Sequence, residues 1–169
     1  PGTQNRVIQG DLSDSKNIER MFNDIDSLDI VINNAAVVET HEIDFLSFEK
    51  WEKMWDKTIK TNLLGPAHII YFASRKMMNN KGGKFINMSS RGAFRGEPNA
   101  PAYGASKAGL NSLGQSMAKA LAKDKVFIYT IAPGFVDTKR VRDLITDEVK
   151  AQSPLNRIAA PEEVAETAL

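Results

Sequence analysis

Residues 103–110 read YGASKAGL, with Tyr103 and Lys107 four positions apart among small residues. On a helix, that spacing puts both side chains on one face in neighbouring turns. A free phenol ionises near pH ~10, so exchanging its proton near neutrality costs roughly 4 kcal/mol. A lysine charge ~5–6 Å away, at an effective dielectric of about 20, offsets roughly 3 kcal/mol of this. The positive end of a helix adds about 0.3–1 kcal/mol. The pair therefore suits acid–base chemistry at an oxygen atom. The chain has three tyrosines, so Y-x-x-x-K alone is a weak signal. Two surface residues on a helix are its plain alternative.

The elements that must hold the pair follow from the hydrophobic pattern. Leu110, Leu113, Met117 and Leu121 recur three and four apart and predict a helix over 102–123, with that stripe buried. Further helices are expected over 13–25, with Ser13 or Asp14 as N-cap, and over 47–80, with Gly65-Pro66 as a possible kink. Another starts at Pro161 with Glu162 and Glu163 in its first turn. A charged, partly helical stretch covers 137–153. Apolar runs predict strands over 6–12, 29–36, 84–90 and 126–134. Short apolar strands alternating with helices argue for βαβ units and a parallel sheet. In open sheets of this kind, ligands bind beyond the carboxyl ends of the strands. That rule selects Asp11, Asn33 and Asn34, Ser89 and Ser90, and Pro133 and Gly134.

Composition narrows the classes. With 22 basic and 21 acidic residues the net charge is +1, and no block of like charge suggests nucleic acid or an anionic membrane. No run of about 18 apolar residues is present to span a bilayer. Without cysteine there are neither disulfides nor thiolate metal sites, which agrees with a reducing, cytoplasmic location. No metal site is expected.

Five stretches are informative together: NNAA (33–36), TNLLG (61–65), NMSS (87–90), YGASK (103–107) and APGFVDT (132–138). In order and spacing they resemble the short-chain dehydrogenase/reductase family, over nearly the whole chain. The likeness is strongest to the subgroup that includes 3-oxoacyl-carrier-protein reductases. The resemblance implies an α/β fold, a Rossmann-like doubly wound parallel sheet. It also implies an oxidoreductase moving hydride between NAD or NADP and a secondary alcohol or ketone. Its catalytic set would be Asn62, Ser90, Tyr103 and Lys107. Tyr103 would be general acid in reduction and base in oxidation. Lys107 would assist it and hold the nicotinamide ribose. Ser90, at the family spacing of thirteen residues before Tyr103, would hold the substrate oxygen and is preferred over Ser89. Asn62 would complete a proton relay through water.

The coenzyme would touch Asp11 and Leu12 at the adenine, and Asn34 and Ala35 at the adenosine ribose. Beyond Tyr103 and Lys107, Pro133, Gly134, Val136 and Thr138 would lie at the nicotinamide. Phe94, Arg95 and a mobile lid over 139–153 would meet a small-molecule substrate. A homodimer or homotetramer through helices 47–80 and 102–123 is implied as well. Trp51, Met54 and Trp55 read as core or subunit contact, and His41 and His68 as structural or surface residues. Asn87-Met88-Ser89 matches a glycosylation sequon but falls in an expected buried strand.

The chain departs from the family in having no TGxxxGxG turn, the element that cradles the pyrophosphate. The expectation is one partial domain over 1–169. It lacks the family's first two strands and last strand, so it has an unpaired strand 6–12 and an exposed apolar edge at 29–36. By itself it is expected to be inactive. Two other readings remain: a non-catalytic scaffold on the same fold, or a relative of the sugar-nucleotide epimerases.

Overall fold

In this computed structural model, residues 5–139 and 141–169 are described. Three parallel strands form one sheet in the order β1 (Ile30–Asn33), β2 (Gly83–Met88), β3 (Val126–Ile131). Val31, Phe85 and Ile128 are in register across it. They point to one face and pack with Ile18 and Phe22 of α1 (Ser15–Asn23) and with Ile70, Ala73 and Met77 of α3 (Gly65–Met78). Leu121 closes the same core from α5 (Pro101–Leu121). The opposite face carries Ile30, Ile32, Phe127 and Tyr129, each about half exposed. This is the parallel sheet expected from the alternating elements, and it agrees with the Rossmann-like fold that the resemblance implies, with β1 as an exposed apolar edge.

One local expectation is corrected. Residues 6–12 form no strand, and Val7 is 91% exposed. A strand exists through its ladder partners, and this stretch has none. The N-cap of α1 is Asp14, one of the two residues expected there; its side chain accepts from the Lys16 N–H at 2.9 Å. Just before Gly65-Pro66 the helical stretch over 47–80 changes form: α2 (Phe48–Ile59) runs through a π turn (Lys60–Leu64) into α3. Pro66 has no N–H to give to the carbonyl of Asn62, and the wider turn just upstream absorbs that loss. Gly82 ends this element at φ 87°, a conformation that a side chain would strain. A short helix, α4 (Gly92–Arg95), follows Ser90. Downstream, α6 (Asp147–Ala151) and α7 (Pro161–Thr167) bear out the helical character of these stretches.

Candidate active site

The helix carrying Tyr103 and Lys107 begins with Pro101 in its first turn, but its N-cap, Ala100, has no side-chain acceptor. His41 supplies one from 61 residues away: its Nε2 accepts from the Ala102 N–H at 3.1 Å. The ring is fully buried, with Nδ1 2.7 Å from the Glu39 carbonyl oxygen. Its backbone N–H donates to the Asn99 carbonyl at 2.9 Å. An accepting Nε2 and a donating Nδ1 define the neutral imidazole. His41, read from sequence as structural or surface, is structural and fixes the start of the helix that carries Tyr103 and Lys107. Its only sequence signal is negative: a helix start at Ala100-Pro101 without a capping side chain.

One turn in, Lys107 is 3% exposed and donates from Nζ to the Met88 carbonyl at the end of β2, at 2.7 Å. The same Nζ lies 5.7 Å from the centroid of the Tyr103 ring. The two following serines differ sharply. Ser89 is buried, with its hydroxyl donating to the Lys107 backbone carbonyl at 3.3 Å. Ser90 is partly exposed and its Oγ accepts from the Gly92 N–H at 3.1 Å, which leaves its own proton available.

Asn62 lies in the π turn and is buried. Its Oδ1 accepts from the Val37 N–H at 2.8 Å, and its Nδ2 donates to the Val37 carbonyl at 2.8 Å and to Ser106 Oγ at 3.2 Å. Its side chain thus grips the loop after β1 and touches α5. The close approach of α5 to the π turn uses Gly109, where a Cβ would meet Leu63 Cδ2 at 2.9 Å. Asn62 and Lys107 are brought to the same helix pair, and the amide of Asn62 is spent on the Val37 backbone and the Ser106 hydroxyl.

Residues 2–169 match the family model described as enoyl-(acyl carrier protein) reductase. The chain belongs to the short-chain dehydrogenase/reductase family. It is 35% identical over 158 residues to the 3-oxoacyl-(acyl-carrier-protein) reductase FabG of Aquifex aeolicus, covering 92% of this chain and 62% of that protein. To FabG of Staphylococcus aureus strain Mu50 it is 32% identical over 174 residues, covering 98% of this chain and 69% of that one. Among solved structures it is similar to a candidate short-chain alcohol dehydrogenase from Sinorhizobium meliloti 1021. That match has a TM-score of 0.85 at 26% identity and covers 95% of this chain and 66% of the other. The chain thus spans about two thirds of the length of these relatives.

Of the residues expected at the coenzyme of this family member, Asn34, Ala35, Pro133 and Gly134 follow the carboxyl ends of β1 and β3. Asn34 and Ala35 are exposed just beyond β1. Asn33, beside them, is instead buried, and its Nδ2 donates to Asn87 Oδ1 at 2.9 Å, fastening β1 to β2. Beyond β3, the Pro133 carbonyl accepts from the Arg91 N–H at 3.0 Å. Gly134 is exposed, and a Cβ there would meet only Arg91 Cδ at 3.8 Å. Val136 pairs with Ala159 in an isolated bridge, and Thr138 is exposed.

Asp11 is exposed and its Oδ1 accepts from both the backbone and the hydroxyl of Ser13, each at 2.8 Å. These bonds hold its carboxyl below the usual carboxylate range, the backbone bond contributing most. Leu12 packs against the hydrophobic core. A cavity of about 280 Å³ opens between Pro133-Gly134 and α7, displaced from Tyr103 toward the C-terminal segment. Tyr103 and Lys107 are not among the residues that line it.

No helix among the described residues is long and apolar enough to cross a membrane.

Proposed function

We propose that the protein is an oxidoreductase that moves hydride between NAD or NADP and a secondary alcohol or ketone. The observation that carries this reading is the ammonium of Lys107. It is buried, anchored 2.7 Å from the Met88 carbonyl and 5.7 Å from the Tyr103 ring centroid, one residue from the strand end that bears Ser89 and Ser90. A cation fixed there favours negative charge on the phenolic oxygen.

The residues present fit the nicotinamide half of such a coenzyme. Gly134 leaves open space at the end of β3, Asn34 and Ala35 are exposed at the end of β1, and Lys107 supplies a donor between them. Pro133, Gly134, Val136 and Thr138 would hold the nicotinamide, and Asp11 and Leu12 the adenine. When bound, the coenzyme supplies or accepts the hydride. In the reduction direction, the Ser90 hydroxyl donates a hydrogen bond to the carbonyl oxygen and stabilises the charge that develops there. Tyr103 gives its proton to that oxygen, and Lys107 stabilises the phenolate left behind. Asn62 holds the loop after β1 against the tyrosine helix. In this reading a water chain past the π turn returns the proton.

The family description names enoyl reduction, whereas the similar FabG proteins are named as 3-oxoacyl reductases. Ser90 and Tyr103 are both hydroxyl donors suited to an oxygen atom, which favours a carbonyl substrate. A cytoplasmic homo-oligomer in contact through α2–α3 and α5 belongs to the same reading; Phe48 and Tyr71 on the first of these are more than half exposed.

The test follows absorbance at the reduced-nicotinamide band with ketones and alcohols and both coenzymes. Tyr103→Phe abolishes turnover while coenzyme binding survives. Normal turnover by that variant rejects the mechanism.

A further inference from the structure

Directly after Ser90 comes Arg91, and Arg95 closes the short helix α4 that follows. Arg91 Nη2 donates to Gln152 Oε1 at 2.7 Å, and Arg95 Nη1 donates to the same oxygen at 3.2 Å. Two guanidinium groups thus meet at one neutral amide oxygen. Among the described residues, neither arginine has a carboxylate within 4.0 Å. Partial burial and then the charge of Arg95 both work against the charge on Arg91. Only Glu97 opposes them, as the smallest of the three influences. The Glu97 side chain packs against Gly92 instead.

The pair is held in place. The Arg91 N–H donates to the Pro133 carbonyl, and its guanidinium lies 4.5 Å from the centroid of the Phe135 ring. A cavity of about 260 Å³ opens beside it, lined in part by Arg91, Phe135, Gln152 and Arg157. Arg157 is already neutralised by Glu163, which it meets through two bonds of 2.8 and 2.7 Å. The positive charge left over in this cavity therefore belongs to Arg91, with Arg95 beside it. Planar guanidinium forks match carboxylate and phosphate oxygens, and a charged acceptor makes a stronger bond than the neutral amide now there.

We propose that Arg91 and Arg95 bind an anionic group, a carboxylate or a phosphate, carried by the carbonyl substrate, and that Gln152 Oε1 marks the place of one of its oxygens. This rests on the reading of Ser90 as the residue that holds the substrate oxygen. The guanidinium next to it then receives the substrate's charged end a few bonds from the reacting carbon. Gln152, the C-cap of α6, is exposed and gives way as the anion arrives. The site discriminates as well as attracts, because a neutral substrate leaves two like charges sharing one amide.

Two matched pairs of probes test this: acetoacetate against ethyl acetoacetate, and dihydroxyacetone phosphate against dihydroxyacetone. Calorimetry measures binding, and coenzyme oxidation measures turnover. The expected result is at least tenfold tighter binding of one charged member over its neutral partner, and which pair responds separates carboxylate from phosphate. The preference collapses in Arg91→Gln/Arg95→Gln, while coenzyme affinity and the thermal midpoint hold. Equal binding of charged and neutral members in both pairs overturns the proposal, as does a preference that survives the double substitution. So does a loss confined to coenzyme affinity. Turnover of the neutral ketones in those cases leaves the oxidoreductase reading standing. Charge-selective binding with no turnover of any probe supports the anion site and counts against that reading.

Discussion

His41 Nε2 accepts a hydrogen bond from the Ala102 N–H, so a buried imidazole in the loop after β1 caps the helix that carries Tyr103 and Lys107. An unsatisfied buried N–H costs about 1–3 kcal/mol, and losing an N-cap costs about 0.5–2 kcal/mol. His41→Leu should therefore lower unfolding stability by about 1–3 kcal/mol. His41→Gln keeps an acceptor within reach of Ala102 and should recover part of that loss. Urea denaturation of the two variants measures both. Equal loss in the two assigns the role of His41 to ring packing alone, against Trp55.

The contrast between Ser89 and Ser90 makes a paired prediction. Ser90→Ala removes the free hydroxyl at the end of β2 and should lower kcat about 10²–10³-fold, the usual effect of losing one donor to a developing oxyanion. Ser89→Ala removes a buried bond to the Lys107 backbone and should cost about 1 kcal/mol of stability with little change in kcat. Steady-state kinetics with thermal unfolding on the same samples separates the two. A large kinetic effect at Ser89 with none at Ser90 would reverse the assignment.

Asn62 offers a third test, because its amide serves both polar groups of Val37 at once. Asn62→Ala breaks three bonds and should cost about 2–4 kcal/mol, at a net worth of ~0.5–1.5 kcal/mol each. Asn62→Asp is isosteric but turns a carboxyl oxygen toward the Val37 carbonyl. That environment favours the protonated carboxyl, so the penalty should grow as pH rises from about 4 to 7. Chemical denaturation across that range reads the trend, and a penalty independent of pH contradicts the geometry.

What could be read in the sequence, and what could not, divides by the range of the interaction. The β1, β2 and β3 strands and the tyrosine helix were legible because their apolar spacing is local, and the stripe from Leu110 to Leu121 does face the core. The resemblance to the family selected Ser90 over Ser89 through its spacing from Tyr103, and Ser90 is the more exposed of the two. Residues 6–12 misled because an apolar run carries no record of whether a neighbouring strand exists. The missing N–H of Pro66 marked an irregularity in the long helix, and the π turn just upstream is the form it takes. The partnership of His41 with Ala102 had no local trace, since it joins residues 61 positions apart. The meeting of Arg91 and Arg95 with Gln152 likewise depends on how the segment beyond β3 folds back.

That returning segment supplies the last prediction. Glu163 of α7 accepts from both terminal nitrogens of Arg157 and from the Ala160 N–H. The Arg157 bonds first, and the Ala160 bond second, lower its pKa from 4.5 to about 2. A carboxyl whose folded value is depressed stabilises the structure above its unfolded value and loses that contribution as pH falls toward the folded one. The attachment of α7 to Arg157 and the Ala160 N–H should therefore be strongest above about pH 4.5 and weaken steadily toward pH 2. The group is exposed, so the effect should also shrink in high salt. Hydrogen exchange of the α7 amides, compared between the native chain and Glu163→Gln, isolates it. The two should differ near neutrality and converge near pH 2; parallel curves across that interval would place the stability of α7 elsewhere than in this pair.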